Sequence, residues 1–187
     1  MSETIPLISR LAAPMQDGEI RIVPAAEEHR EPLRAACAED QEIWELYTIS
    51  FLGPHFDRSF DGFFGKPADL PFVILDGDRM AGMSSYLSVD RYNRTLEIGR
   101  TYLVPSVRGT GFNGRVKTLM LDRAFGAGIE RVEFRVDTRN QRSQAAVRKI
   151  GGVFEGVMRR HKITWTGYNR DTALFSILPD EWRARAG

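Results

Sequence analysis

Several features that would place this chain outside the cell or in a membrane are scarce or missing. There is one cysteine, Cys37, so no intramolecular disulfide can form and a reducing compartment is expected. The three histidines, His29, His55 and His161, are scattered, without cysteines or paired carboxylates at ligand spacing; no metal site is expected. No apolar run approaches the ~18 residues of a membrane span. The opening MSETIPLISR carries a glutamate where a secretory signal carries positive charge. These features point to the cytoplasm and to no membrane partner. Repeats, low-complexity stretches and linkers are absent. Lysine is rare as well, 4 residues against 22 arginines.

What is present suits one compact domain. The chain has 187 residues, 42% hydrophobic and 27% charged, enough to close one ordinary core and short for two. A single domain over residues 1–187 is expected, with residues 1–18 an extended or flexible N-terminal segment. The formal charge of +1 hides an uneven distribution. Residues 1–90 hold 7 basic and 16 acidic residues, whereas 91–162 hold 16 and 6. The second segment suits a polyanionic ligand.

Periodicity gives an order of elements. EIRIVPA reads as a strand, and EEHREPLRAACAEDQEIWELY as helix in two pieces with an acidic first turn. The Phe-rich stretch FLGPHFDRSFDGFFGKPADLP, broken by Gly and Pro, reads as a packed loop. FVILDGDRMAGMSSYLSVD is a β-hairpin turning at Asp76 and Gly77. TLEIGRTYLVP is a strand, and residues 112–125 repeat apolar positions at helical spacing. RVEFRVD is a strand, QRSQAAVRKIGG a short helix stopped by glycines, and GVFEGVMRRHKI and DTALFSIL the last strands. The fold class is mixed α/β.

RGTGFNG, residues 108–114, reads literally as G-x-G-x-x-G, the dinucleotide fingerprint. Asp137 even lies at the expected distance downstream. However, PSVR separates the strand from Gly109, antiparallel strands precede the motif, and too few elements follow for a doubly wound sheet. A P-loop fits worse still, because Arg115 and Val116 follow Gly114 in place of Lys and Ser or Thr. The remaining physics is an anion cradle: glycines exposing backbone N–H groups ahead of a helix N-terminus.

With this order of elements, LEIGRTYLVPSVRGTGFNGRVKTLML and DTRNQRSQAAVRKIGGVFEGVMRRH resemble motif A of the GNAT superfamily of acetyl-CoA-dependent N-acetyltransferases and the block after it, as in the RimJ/RimL-like branch. The resemblance runs from about Glu19 to Leu178. It implies a mostly antiparallel twisted sheet of about seven strands flanked by helices, with a βαβ unit that binds acetyl-CoA. Arg108 and Gly111 match the first two fixed places of Q/R-x-x-G-x-G/A, and Asn113 stands at the third. The implied cofactor contacts are Tyr102, Leu103 and Val104 on the strand, Arg108, Gly109, Thr110, Gly111, Phe112 and Asn113 in the turn, Lys117 on the helix, and Asn140 and Ser143 from N-x-x-S. Arg108 is the first choice for the phosphates and Lys117 the second; Arg115 and Arg142 are further candidates.

Acyl transfer to an amine calls for a base, oxyanion donors and a proton for the thiolate. Glu97 reads equally as the general base and as a surface carboxylate. The resemblance places the oxyanion donors on the backbone around residues 102–104. Many members protonate the thiolate from a tyrosine four residues before the glycine ending the fourth helix; here that place is Val147. Ser143 is the alternative donor, or a helix cap. The expected acceptor is a primary amine, on a peptide N-terminus or a small molecule, attacking directly in a ternary complex. Trp44, Tyr47, Phe51, Phe56 and Tyr102 are candidates for its pocket or for the core. A non-catalytic acyl-CoA-binding regulator is the alternative. A nucleic-acid partner is disfavoured because the arginine-rich segment lacks interleaved exposed aromatics. A homodimer is compatible with these features.

Overall fold

A computed structural model describes residues 6–185. One eight-stranded sheet, in the order β1-β2-β3-β4-β5-β6-β8-β7, forms its centre. β2 (Ile20–Pro24), β3 (Leu70–Asp76), β4 (Arg79–Asp90) and β5 (Thr95–Leu103) pair antiparallel in sequence order. The chain then crosses over through α4 (Phe112–Gly126) to β6 (Arg131–Asp137), which lies parallel to β5. A helical crossover is what a parallel neighbour requires. After α5 (Gln141–Lys149), β7 (Val153–Ile163) and β8 (Asn169–Ile177) form a hairpin, with β8 inserted against β6.

The eighth strand is β1 (Met15–Asp17), paired with β2, and the count therefore exceeds the expected seven by one. It follows α1 (Leu7–Ala12), whose Leu11 is fully buried and which packs on α4. Instead of a loose N-terminal segment, residues 7–17 are a helix and an edge strand. Met1–Ile5 lie outside the described residues.

Apolar side chains at helical spacing explain the layering. α4 buries Val116, Met120, Leu121 and Ala124, and Tyr86 of β4 donates to the Met120 carbonyl (2.6 Å). α2 (Arg30–Ala38) buries Leu33, Ala36 and Cys37 beside β4. Within the Phe-rich stretch a short α3 (Phe56–Asp61) anchors a ring cluster of Phe51, Phe56, Phe60 and Phe63, all buried. Tyr102 stacks on Trp44 (centroids 4.9 Å apart) and donates to the Ala36 carbonyl.

One irregularity positions the site. Ser85 pairs with Gly99 and Met83 with Tyr102, so Arg100 and Thr101 together face the single Ser84. Arg100 takes φ 51°, uncommon for a side chain. This is a β-bulge, which bends its strand and interrupts pairing. Correspondingly, β5 and β6 pair only at Thr95–Arg131, Leu96–Val132 and Glu97–Glu133, and then part.

Candidate active site

Where β5 and β6 part, a cavity of about 1000 Å3 opens, walled by Ile98–Leu103 on one side and Phe134–Asp137 on the other. It reaches the N-termini of α4 and α5 at one end and β4, β7 and β8 at the other. A buried strand edge without a neighbour leaves backbone donors and acceptors to be satisfied by something else. Two carbonyls on this edge are already served: Tyr47 Oη donates to Thr101, and Arg108 Nε to Leu103 (2.7 Å). The Val104 N–H turns the other way, to the Ala81 carbonyl. Since a strand residue carries its N–H and C=O on the same side, Leu103 presents its N–H to the opening.

At the first end the glycine turn leads into α4. Gly109 and Gly111 take φ +79° and +88°, left-handed values open to glycine without a Cβ penalty, and nothing lies within 4 Å of a Cβ built on either. Thr110 Oγ1 donates to the Val107 carbonyl and accepts from the Phe112 N–H. The N–H groups of Gly109, Thr110, Gly111, Asn113 and Gly114 have no acceptor among the described residues. Together with the positive end of a 15-residue helix, they form an anion cradle. Asn113 Oδ1 is buried and unpartnered beside it.

The far end is charged. Glu97 is largely buried, and burial raises its carboxyl above the usual range, opposed by Arg135 (3.6 Å) and Lys162. Asp69 is taken up by Arg100 (3.0 Å) and the Ser88 N–H, and Asp137 by Arg139 (2.8 Å). Burial, followed by the nearby Lys162, Arg135 and Arg170, depresses His161, whose Nδ1 lies 3.2 Å from Thr172 Oγ1.

A family model of the acetyltransferase (GNAT) domain matches residues 19–153. The chain belongs to the GNAT acetyltransferase family. As an N-acetyltransferase of this family it uses acetyl-CoA as acyl donor. Solved structures agree in fold. A protein of T. thermophilus assigned as an acetyltransferase is 30% identical (TM-score 0.83, covering 91% of this chain and 92% of that one). A GNAT-family protein of Chromobacterium violaceum is 28% identical (TM-score 0.84, 92% and 89%). Mycobacterium smegmatis RimJ, solved with CoA-disulfide, shares the fold at 22% identity (TM-score 0.77, 90% and 87%).

Most residues singled out from the GNAT resemblance line this one cavity: Glu97, Tyr102, Leu103, Arg108, Gly109, Gly111, Asn113, Lys117, Asn140 and Ser143. Thr110 shapes the turn, while Val104 and Phe112 are buried in the core. Three cations are committed elsewhere than to an open phosphate site. Arg108 pairs with Asp40 as well as the Leu103 carbonyl. Lys117 points inward, its Nζ on Thr101 Oγ1 (2.5 Å) and near Ser84 Oγ, and burial lowers its pKa to about 7. Arg115 likewise pairs with Asp17 (2.7 Å). Asn140 caps α5, its Oδ1 accepting from the Ser143 N–H (3.0 Å). Val147, where many members carry tyrosine, is buried and apolar on the cavity wall. Among the aromatic candidates, Trp44, Phe51, Phe56 and Tyr102 have buried rings, whereas Tyr47 is half-buried beside β5. Sequence reasoning missed His161, Lys162 and Arg170, which the β7–β8 hairpin brings to the far end. The basic run RRHK inside a strand was the available signal.

Proposed function

We propose that this protein transfers an acetyl group from acetyl-CoA to a primary amine by direct attack in a ternary complex. The observation that carries this reading is a single cavity joining an empty-handed N–H cradle to a strand edge with a buried carboxylate. Acetyl-CoA supplies the thioester carbonyl that the amine attacks. The N–H groups of Gly109, Thr110, Gly111, Asn113 and Gly114 are assigned to its pyrophosphate and exposed Arg142 to a phosphate, while Asn140 holds the pantetheine arm through its side-chain amide. Leu103 N–H is the oxyanion donor facing the gap. Glu97 takes the ammonium proton, a role that a raised carboxyl pKa suits, and Ser143 Oγ is the donor nearest in kind for the thiolate.

The expected acceptor is a small-molecule amine or a peptide N-terminus, whose α-amino group near ~8 loses its proton more easily than a lysine side chain near ~10.4. A homodimer is also proposed, through the edge strand β7, where Phe154, Val157 and Ile163 are exposed. Sedimentation across a concentration series tests that pairing.

The first experiment is a thermal melt with acetyl-CoA beside NAD at equal concentration, followed by an amine screen that reads free thiol. Ligand at ~100 times its Kd stabilises by about 2.7 kcal/mol, a shift of a few degrees. A shift with acetyl-CoA alone and thiol release with an amine support the reading. A shift with NAD alone defeats it, and binding with no turnover on any amine leaves an acyl-CoA-binding regulator.

A further inference from the structure

The far end of the cavity holds more positive charge than its own carboxylates answer. Lys162 and Arg170 stand directly opposite each other across the β7–β8 pair, where like charges repel. Lys162 has no ion pair among the described residues. Arg170 is 8% exposed, and its Nη2 donates to the Arg135 carbonyl (3.0 Å). Its Nε has no hydrogen-bond partner, the Asp137 carboxylate being 3.9 Å away and held by Arg139. Arg100 Nη1, on the same cavity, is buried and unpartnered too. Burial lowers the Lys162 pKa, and repulsion from Arg170, Arg135 and Lys66 adds to it against the pull of Glu97.

A guanidinium nine-tenths buried, with an unused N–H and another cation opposite, is costly unless an anion completes it. We infer that the acceptor amine carries a carboxylate, as in an amino acid or short peptide acid, which Arg170 and Lys162 bind while the amine faces Glu97. The spacing favours this class because Glu97 belongs to the same cluster. Its Oε2 lies 3.6 Å from Arg135 Nε, and the carbonyl of that same Arg135 accepts from Arg170 Nη2 (3.0 Å). An amine at Glu97 and an anion at Arg170 are thus a few bonds apart in one small molecule. The planar guanidinium edge suits a carboxylate. The acidic half of the chain, which alone would favour a polycation, has its cavity-lining Asp69 already neutralised by Arg100.

The inference rests on the acetyltransferase reading, and the test separates the two. A panel of amino acids is compared with the corresponding amino acid amides, and with phosphoethanolamine beside ethanolamine. The readouts are kcat/KM from thiol release and the melt shift of the CoA-loaded protein. Acids are expected to exceed their amides by about tenfold or more, the scale of a charged hydrogen bond lost. That preference falls towards unity in Lys162→Gln, through KM, with the acetyl-CoA melt shift retained. Arg170→Gln gives the same loss where it folds; exposed Lys162 keeps the test decisive where it does not. If no acid surpasses its amide in turnover or in melt shift, the carboxylate site is refuted while acetyl-CoA binding stands. A preference confined to phosphoethanolamine also refutes it, in favour of a phosphate. Loss of the acetyl-CoA shift in the unmodified protein refutes both readings.

Discussion

Glu97 and Lys117 show burial moving two ionisable groups in opposite directions. In Glu97, burial raises the carboxyl pKa beside an opening where an amine can enter. Glu97→Gln is expected to lower kcat by about a hundredfold or more and to abolish the rise of kcat/KM with pH that ionisation of this carboxyl produces. A pH–rate profile of both proteins checks it; an unchanged profile assigns the base elsewhere, with His161 next in line. Lys117 lies instead against Thr101 and Ser84, where burial brings its pKa from 10.5 to about 7. Between those two values the unfolded chain binds more protons than the folded one, so stability rises with pH across that window. The penalty is full below about 7 and gone above 10.5. Lys117→Met is therefore expected to melt higher than wild type near neutrality, by a margin that shrinks as pH rises towards 10.5. Chemical denaturation at several pH values reads that margin directly; a constant margin disproves the buried-lysine account.

At the scale of elements, the turn before α4 is the exacting part. Gly111→Val forces a β-branched residue to φ +88°, a strain of roughly 1–2 kcal/mol, and shifts the N–H groups that make the cradle. A weaker acetyl-CoA melt shift, larger than any loss in the ligand-free melt, is the expected result; equal losses make the glycine a folding requirement only. This turn was legible from RGTGFNG, as were the strands from β2 onward, because alternation and glycine placement are local signals. β1 was not, since three residues carry no period. Nor was the opening between β5 and β6, which depends on the register of β4 against β5 and on the backbone of Arg100. The partners of Arg108 and Lys117 were hidden for a related reason. Asp40 is 68 residues from Arg108 in the chain, and Thr101 16 from Lys117; charge counts register neither.

For the molecule as a whole, the basic second half of the sequence supplies residues to both ends of one cavity. One presents backbone N–H groups without acceptors among the described residues, and the other sets Lys162 opposite Arg170. Arg108, just before the cradle, ties it to β5 through the Leu103 carbonyl and to the end of α2 through Asp40. The three shared rungs at Thr95–Glu97 make the protein two half-sheets riveted at one end. A ligand seated in the fork is expected to supply the missing rungs, which would make binding and completion of the sheet one event. Amides along the free edges, Leu103 among them, should exchange quickly with solvent deuterium in the ligand-free protein and slow together when acetyl-CoA is added. Exchange mapped by mass spectrometry tests this. Simultaneous protection on β5 and β6 would mean that this sheet is finished only by what it binds.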